Sequence, residues 1–338
     1  MASTHRNDNR IGRILSVGAV VLVLLVCVVG VAILEDKLSV EIEHAGQQMT
    51  AHTSDHSSAQ VFMNDGWYAE RNVETLLVIG IDDLGTMEAG QSYNNTKQAD
   101  FLALFIRDLD SGRIDALHLN RDTITDIPVL GVTGQATGTR RAQLTLAYNY
   151  GNGDHVSSRN VADAVERLLY GMKVDDYITV TMDAVPIIND WAGGVTVKVM
   201  DDFTGIDDAL VQDELVMLKG QQALTYVRSR MGLDDSSNLH RMERQRQYAS
   251  AWAKSAHNKL TDKQAVADLA MQLDAYYRSS CTLEKLQDFA QSFANKASIP
   301  TYEIKGTAVQ GDVFMEFYVD EEALQQLVLG LFYKPAGA

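Results

Sequence analysis

This sequence is poor in cysteine, and its positive charge falls well short of its negative charge. Its two cysteines, Cys27 and Cys281, stand far apart, one in an apolar run and the other in a segment expected to be helical. They are read as unpaired, so the fold must rest on its hydrophobic core, which 338 residues at 46% hydrophobic content can supply. Against 45 acidic side chains there are only 29 lysines and arginines, for a net charge of −16. That balance excludes a non-specific nucleic-acid binder, whose affinity comes from neutralising phosphates, and any anion must meet a local basic cluster. Several catalytic signatures are missing too: His-Glu-x-x-His, a cysteine pair at metal spacing, Gly-x-Ser-x-Gly and the P-loop. Zinc peptidase, serine hydrolase and nucleotide hydrolase chemistry therefore lack support.

Charge is absent in one further place. From Ile14 to Leu34 no charged residue interrupts an apolar run, about the 20 residues a helix needs to cross a bilayer. Arg6, Arg10 and Arg13 precede it and Glu35 and Asp36 follow it, which predicts a cytoplasmic N-terminus and an extracytoplasmic remainder. The run exceeds a signal-peptide core and lacks an Ala-x-Ala ending, so an uncleaved anchor is preferred to a cleaved leader. The expected organisation is a cytoplasmic tail (1–13), a transmembrane anchor (14–34), a polar stalk (35–72) and one folded domain (73–335). His52 and His56, four apart in the stalk, are read as solvated linker residues for want of further ligands.

The folded region mixes strand and helix patterns. Leu76 to Gly80 is an apolar run of buried-strand type. Phe101 to Arg107 and Arg113 to Leu119 flank Asp110-Ser111-Gly112 and predict a β-hairpin. Helical spacing marks Asn160 to Tyr170, strands are expected at Tyr177 to Thr181 and Val195 to Val199, and a helix near Ala184 to Trp191 ends at Gly193-Gly194. A long helix is predicted from about Leu239 to Leu260. Together these elements indicate an α/β (α+β) domain of three layers, a central mixed sheet flanked by helices.

The arginines are unevenly placed. Arg228, Arg230, Arg241, Arg244 and Arg246 fall within nineteen residues. Arg241, Arg244 and Gln245 lie on one helix face by spacing, which predicts donors pointing the same way. Converging guanidiniums suit a pyrophosphate; the competing reading is a solvated face paired with Asp234, Asp235 and Glu243. Asp82 directly follows the first strand and Asp100 directly precedes the second, so paired carboxylates at strand ends could hold Mg²⁺, or serve as ordinary loop formers. Arg121-Asp122-Thr123 would meet the same sheet edge. His118 and His240 are read as structural; Met182 and Phe203 are candidates for lining an apolar pocket or for plain core.

The order of these segments resembles the catalytic domain of the LytR-CpsA-Psr family. The resemblance is carried by Leu76-Leu77-Val78-Ile79-Gly80-Ile81-Asp82, Ala99-Asp100, Leu119-Asn120-Arg121-Asp122-Thr123 and Ala147-Tyr148-Asn149-Tyr150-Gly151. It continues through Asp190-Trp191-Ala192-Gly193-Gly194-Val195, Leu218-Lys219-Gly220, Tyr226-Val227-Arg228-Ser229-Arg230 and Arg241-Met242-Glu243-Arg244-Gln245. It implies a membrane-anchored phosphotransferase that moves a glycopolymer from a polyprenyl-pyrophosphate carrier to peptidoglycan through a phosphodiester, with the lipid tail in a hydrophobic pocket. Carried over by position, it implies Asp82 and Asp100 on the side of a bound Mg²⁺ (or Mn²⁺), and Arg121, Arg228, Arg230, Arg241 and Gln245 around the pyrophosphate. Arg121 and Arg228 would stabilise developing charge, and either aspartate could assist the acceptor hydroxyl.

Three positions depart from the family pattern. Leu84, Gln98 and Gln143 stand where basic residues are usual, although Arg140 and Arg141 lie near the last. The rival readings are a non-catalytic lipid-binding or regulatory protein that keeps the pocket, and a lipid pyrophosphatase.

Overall fold

The computed structural model describes residues 60–63, 66–229, 238–260, 263–282 and 299–336, with isolated positions between 283 and 298. The expected anchor, most of the stalk with His52 and His56, and Arg230 lie outside the described residues. Among those described, no helix is long and apolar enough to cross a membrane.

The described chain opens with strands β1 (Gln60–Met63) and β2 (Gly66–Glu70). The apolar run and the predicted hairpin follow as β3 (Val73–Ile81), β4 (Ala99–Asp108) and β5 (Ile114–His118), and then come β6 (Ile124–Leu130) and β7 (Ala136–Gln143). Next are helix α1 (His155–Leu168), β8 (Asp176–Thr181), α2 (Ala184–Trp191), β9 (Val195–Lys198) and β10 (Leu215–Leu218). Helices α3 (Gln221–Arg228), α4 (Asn238–Leu260) and α5 (Lys263–Leu273) lead to β11 (Tyr277–Ser279) and β12 (Thr301–Glu303). The pair β13 (Gly306–Gln310) and β14 (Met315–Val319), helix α6 (Glu321–Phe332) and β15 (Tyr333–Pro335) complete the fold.

The central sheet has the order β11-β8-β3-β4-β5-β12. It is mixed, because β3 pairs parallel with β8 but antiparallel with β4, and β12 pairs parallel with β5. Alternation along β3 sends Leu77, Ile79 and Ile81 to one face, where they pack with Val161 and Val165 of α1 and Leu324 and Val328 of α6. Leu76 and Val78 face the other way, against Phe105, Ile178, Phe289 and Ile299. Beyond them Ile188 and Trp191 of α2, Tyr226 of α3, Tyr248 and Trp252 of α4 and Leu269 of α5 form another buried cluster. Both faces of β3 and β4 are covered, which is why their sequence reads as continuous apolar runs.

One boundary differs from the expectation. Residues 60–63 and 66–70, read as the end of the stalk, form strands β1 and β2, and β2 pairs with β15 near the C-terminus. The described strands therefore reach back to Gln60, ahead of residue 73. Only Val61 and Met63 of β1 are buried, too short a period to register in the sequence.

Candidate active site

Three strand ends and two helices bring the charged residues together. Asp82 leaves the end of β3, Asp100 is the second residue of β4, and Arg121 lies in the tight turn beyond β5, where Asn120 Oδ1 accepts from the Asp122 amide at 3.0 Å. That turn is locked from outside, since the Thr145 amide donates to the Arg121 carbonyl at 2.9 Å. Arg228 closes α3, and Arg241 and Gln245 lie on α4.

Asp100 is the hub. It is 4% exposed, and its carboxylate is held on one oxygen by Arg121 and on the other by Arg241 at 3.1 Å; Arg241 also donates to the Asp100 carbonyl at 3.1 Å. Arg121 and Arg241 are themselves buried, and a charge so far from water persists only when paired and hydrogen-bonded. Arg121 donates to Gln98 Oε1, and its Nε lies 3.4 Å from Asp122 Oδ1. The Asp82 amide donates to the Gln98 carbonyl at 2.9 Å, linking the hub to the neighbouring pair of Arg228 and Asp82 at 2.6 Å. That second pair is open: its side chains are 42% and 37% exposed. The site thus has a desolvated guanidinium-carboxylate core and a solvent-facing guanidinium beside it.

An apolar cavity of about 100 Å³ adjoins this charge, lined among others by Val78, Gly80, Phe101, Met182, Ile188 and Tyr248. Its walls also include Val227, next to Arg228, and Gln245, one helical turn from Arg241, while Phe101 directly follows Asp100. Gly80 makes the floor possible, because a Cβ there would stand 3.0 Å from the Phe101 Cβ. Charge beside an oily recess suits an amphiphile with an anionic head and an apolar tail.

The helix-face expectation is corrected in one respect. Arg241, Arg244 and Gln245 do not aim together, and the two arginines hold carboxylates distant in the chain; Asp234 and Asp235 lie outside the described residues. Arg241 turns to Asp100, Arg244 to Asp201 and the carbonyls of Tyr226 and Ser229, and the Gln245 Nε2 donates to the Val227 carbonyl at 3.2 Å. Arg246 goes to Glu303. Arg244, fully buried, clamps the residues on either side of Arg228 and acts on the site by position. Of the two roles open to Met182 and Phe203, Met182 lines the cavity, whereas Phe203 lies in the core with its ring stacked on Tyr226 at 5.6 Å between centroids.

The three departures resolve differently. Gln98 supports Arg121 as described, and Gln143 Nε2 donates to Asp122 Oδ1 at 3.2 Å and to the Met315 carbonyl at 2.7 Å. Leu84 is 59% exposed on the loop after Asp82. Arg140 reaches the Tyr150 hydroxyl at 3.3 Å, and Arg141 lines a different cleft. A lysine that sequence reasoning passed over, Lys97, lies one residue before Gln98 and holds Asp83 at 2.7 Å; a shift of one position hid it. Burial, with Arg246 and Arg241 adding to it, pushes His118 down to about 3, so its ring stays neutral.

The LytR_cpsA_psr family model matches residues 37–330. The chain belongs to the LytR-CpsA-Psr family. A curated relative of this LytR-CpsA-Psr protein is the polyisoprenyl-teichoic acid–peptidoglycan teichoic acid transferase TagU of Oceanobacillus iheyensis. It is 24% identical over 267 residues, which cover 77% of this chain and 75% of the relative. Among solved structures, TagT bound to LI-WTA superposes with a TM-score of 0.57 at 19% identity, covering 77% of this chain and 89% of that one. B. subtilis TagV gives 0.56 at 21%, covering 77% and 96%. The family member described here shares their fold.

Proposed function

We propose that this protein transfers a glycopolymer from a polyprenyl-pyrophosphate carrier to peptidoglycan, joining them through a phosphodiester. The observation that supports this best is that residues next to Asp100 and Arg228, Phe101 and Val227, together with Gln245, line the apolar cavity, so that an oily recess lies beside the charged cluster, as a lipid tail ending in a pyrophosphate requires. The curated relative bears the name of such a transferase, and the family match spans most of the chain.

In this reading the tail enters between β3, β4, α2 and α4, and the pyrophosphate lies over the strand ends. Arg228, already solvent-facing, turns from Asp82 to the phosphate oxygens, and its planar fork offers two donors to them. Arg121 and Arg241 keep their positions through Asp100 and present fixed positive charge where the transferring phosphoryl group gains negative charge. The acceptor hydroxyl loses its proton to a nearby carboxylate, for which the half-exposed Asp82 is better placed than Asp100, whose two oxygens are already engaged. The phosphorus–oxygen bond to the sugar forms as the bond to the lipid phosphate breaks, and the lipid leaves as a monophosphate.

Asp82, half-exposed at the strand end, fits as a Mg²⁺ ligand, whereas Asp100, with both oxygens on guanidiniums, would have to release one to join it. Among the described residues no group of three or more His, Cys, Asp or Glu could hold a metal, but Mg²⁺ keeps waters and takes substrate phosphate oxygens, so one or two carboxylates suffice. When bound it would supply charge neutralisation to the pyrophosphate. The apolar run at residues 14–34 would tether the domain outside the cell membrane, where donor and acceptor both lie.

The test is turnover of a polyprenyl-pyrophosphate-linked saccharide in the presence of Mg²⁺ and a peptidoglycan acceptor, followed by mass spectrometry of the lipid product. Arg228→Ala should lower the rate at least about a hundredfold, the scale of losing one transition-state donor. Lipid binding without turnover in the wild-type chain would reject the transferase reading, and release of saccharide phosphate to water with acceptor present would favour a pyrophosphatase.

A further inference from the structure

The hairpin of β13 and β14 leaves the domain beside the charged site. The Phe317 amide donates to the Asp122 carbonyl at 2.9 Å, Phe317 pairs with Thr123, and Gln143 Nε2 donates to the Met315 carbonyl at 2.7 Å. The hairpin is thus fastened along β14 to the turn that holds Arg121, and its inner face buries Phe317. Alternation sends Phe314, Glu316 and Tyr318 to the outer face, where Val309 is the cross-strand partner of Glu316. Phe314 is 66% exposed, Val309 44% and Tyr318 43%, and β13 is exposed along its whole length. A lone exposed apolar residue is ordinary, but here three share one face.

The chemistry of that face suits a sugar. A sugar ring offers a flat C–H surface to aromatic rings and a rim of hydroxyls to acceptors, and this strip supplies both. Glu316 lies between the two aromatics and accepts from the Tyr318 hydroxyl at 2.6 Å, with acceptor capacity to spare. Gly311 makes room for that carboxylate, because a Cβ there would stand 2.9 Å from the Glu316 Cδ and Oε1. A carboxylate held between aromatics is a poor match for a bilayer, and Asp312, Glu316 and Asp320 set the hairpin against a polyanionic chain. A saccharide whose sugars carry no charge meets both constraints.

Position selects which saccharide. The apolar cavity lies on the face of β3 lined by Val78 and Gly80, whereas Val319 at the end of β14 and Ile127 of β6 pack on the opposite face, with α1 and α6. In phosphoryl transfer the attacking and leaving oxygens lie roughly in line. With the lipid phosphate leaving toward the cavity, the attacking hydroxyl arrives from the α1 side, past Arg121, where the hairpin stands. We propose that the outer face of this hairpin docks the glycan strand of the peptidoglycan acceptor, with Phe314 and Tyr318 against its sugar rings and Glu316 accepting from its hydroxyl or acetamido groups. The role of that strand as acceptor rests on the transferase reading; the saccharide site itself does not.

Saturation-transfer NMR on the full chain in detergent micelles tests it with a neutral N-acetylglucosamine tetramer, which shares the acceptor's N-acetylated sugars, and an anionic glycerol-phosphate oligomer. The tetramer should bind with an affinity indifferent to salt, and the oligomer should not displace it. Phe314→Ala combined with Tyr318→Ala should weaken the tetramer roughly tenfold or more, as losing two stacked rings does. Val132→Ala, in the exposed turn between β6 and β7, should leave binding unchanged. If the double variant misfolds, Phe314→Ala alone carries the comparison, since Phe314 lies outside the core. In Phe314→Trp the added indole fluorescence should respond to the tetramer and not to a spin-labelled detergent. Absence of tetramer binding, unchanged affinity in the aromatic variants, displacement by the oligomer, or quenching by the detergent would each overturn the proposal. Tetramer binding is read without lipid or turnover, so loss of the transferase reading and loss of this site give different results.

Discussion

Arg228 and Arg241 each hold an aspartate, yet the two pairs differ in what water does for them. The Arg228–Asp82 pair is solvated, and such pairs contribute about 0–1 kcal/mol. Asp100 is sealed between two buried guanidiniums, and removing one partner of a buried pair costs about 3–5 kcal/mol. Urea unfolding should therefore show Arg228→Ala within about 1 kcal/mol of wild type and Asp100→Ala several kcal/mol below it. If Arg228→Ala were the more destabilising, its side chain would be serving the fold rather than the ligand. At this scale the sequence displayed that arginines cluster between residues 228 and 246. It did not display their targets, because Asp100, Asp201 and Glu303 are distant in the chain and only folding sets which guanidinium reaches which carboxylate.

The strands and helices that carry the site also shape its recess. Gly80 in β3 faces Phe101 in β4 across the antiparallel ladder, and the missing side chain leaves room for the cavity. Gly80→Val should overpack this floor, at about 1–3 kcal/mol, and narrow the recess. Measured with a short and a long prenyl donor, the variant should lose more activity on the long one. Equal loss on both would place the tail elsewhere. Elements with a clear apolar pattern were legible in the sequence: β3, the β4–β5 hairpin, β8, α2 and α4 all fall where residue pattern places them. Strand β7 was not, since its exposed run of Thr, Gly and Arg has no apolar period. Strands β11 and β12, at three residues each, are too short to have one.

Across the whole molecule, the two ends of the described chain meet. Strand β2 pairs with β15, the Arg71 amide donates to the Phe332 carbonyl at 2.7 Å, and Val61, Met63 and Tyr333 join the main core. A chain beginning at residue 73 should therefore be less stable than one beginning at residue 60. Burial of Val61 and Met63 alone contributes about 3 kcal/mol or more. The comparison is a pair of thermal unfolding curves, and coincident midpoints would make the β1–β2 hairpin an ornament on the domain rather than a part of it.

By itself the sequence determined the mixed layered fold, the order of segments that marks the family, and the residue types gathered for anion chemistry. Those follow from local rules: apolar period sets strand or helix, glycine and turn residues set the breaks, and charge composition limits the partners. Only the tertiary structure decided that Arg241 belongs to Asp100 and Arg244 to Asp201, that Gln98 and Gln143 occupy hydrogen-bonding places beside Arg121 and Asp122, and that Arg141 looks into a separate cleft. Those are long-range pairings, set by which strand ends and helix faces come to lie together, and no spacing along the chain encodes them.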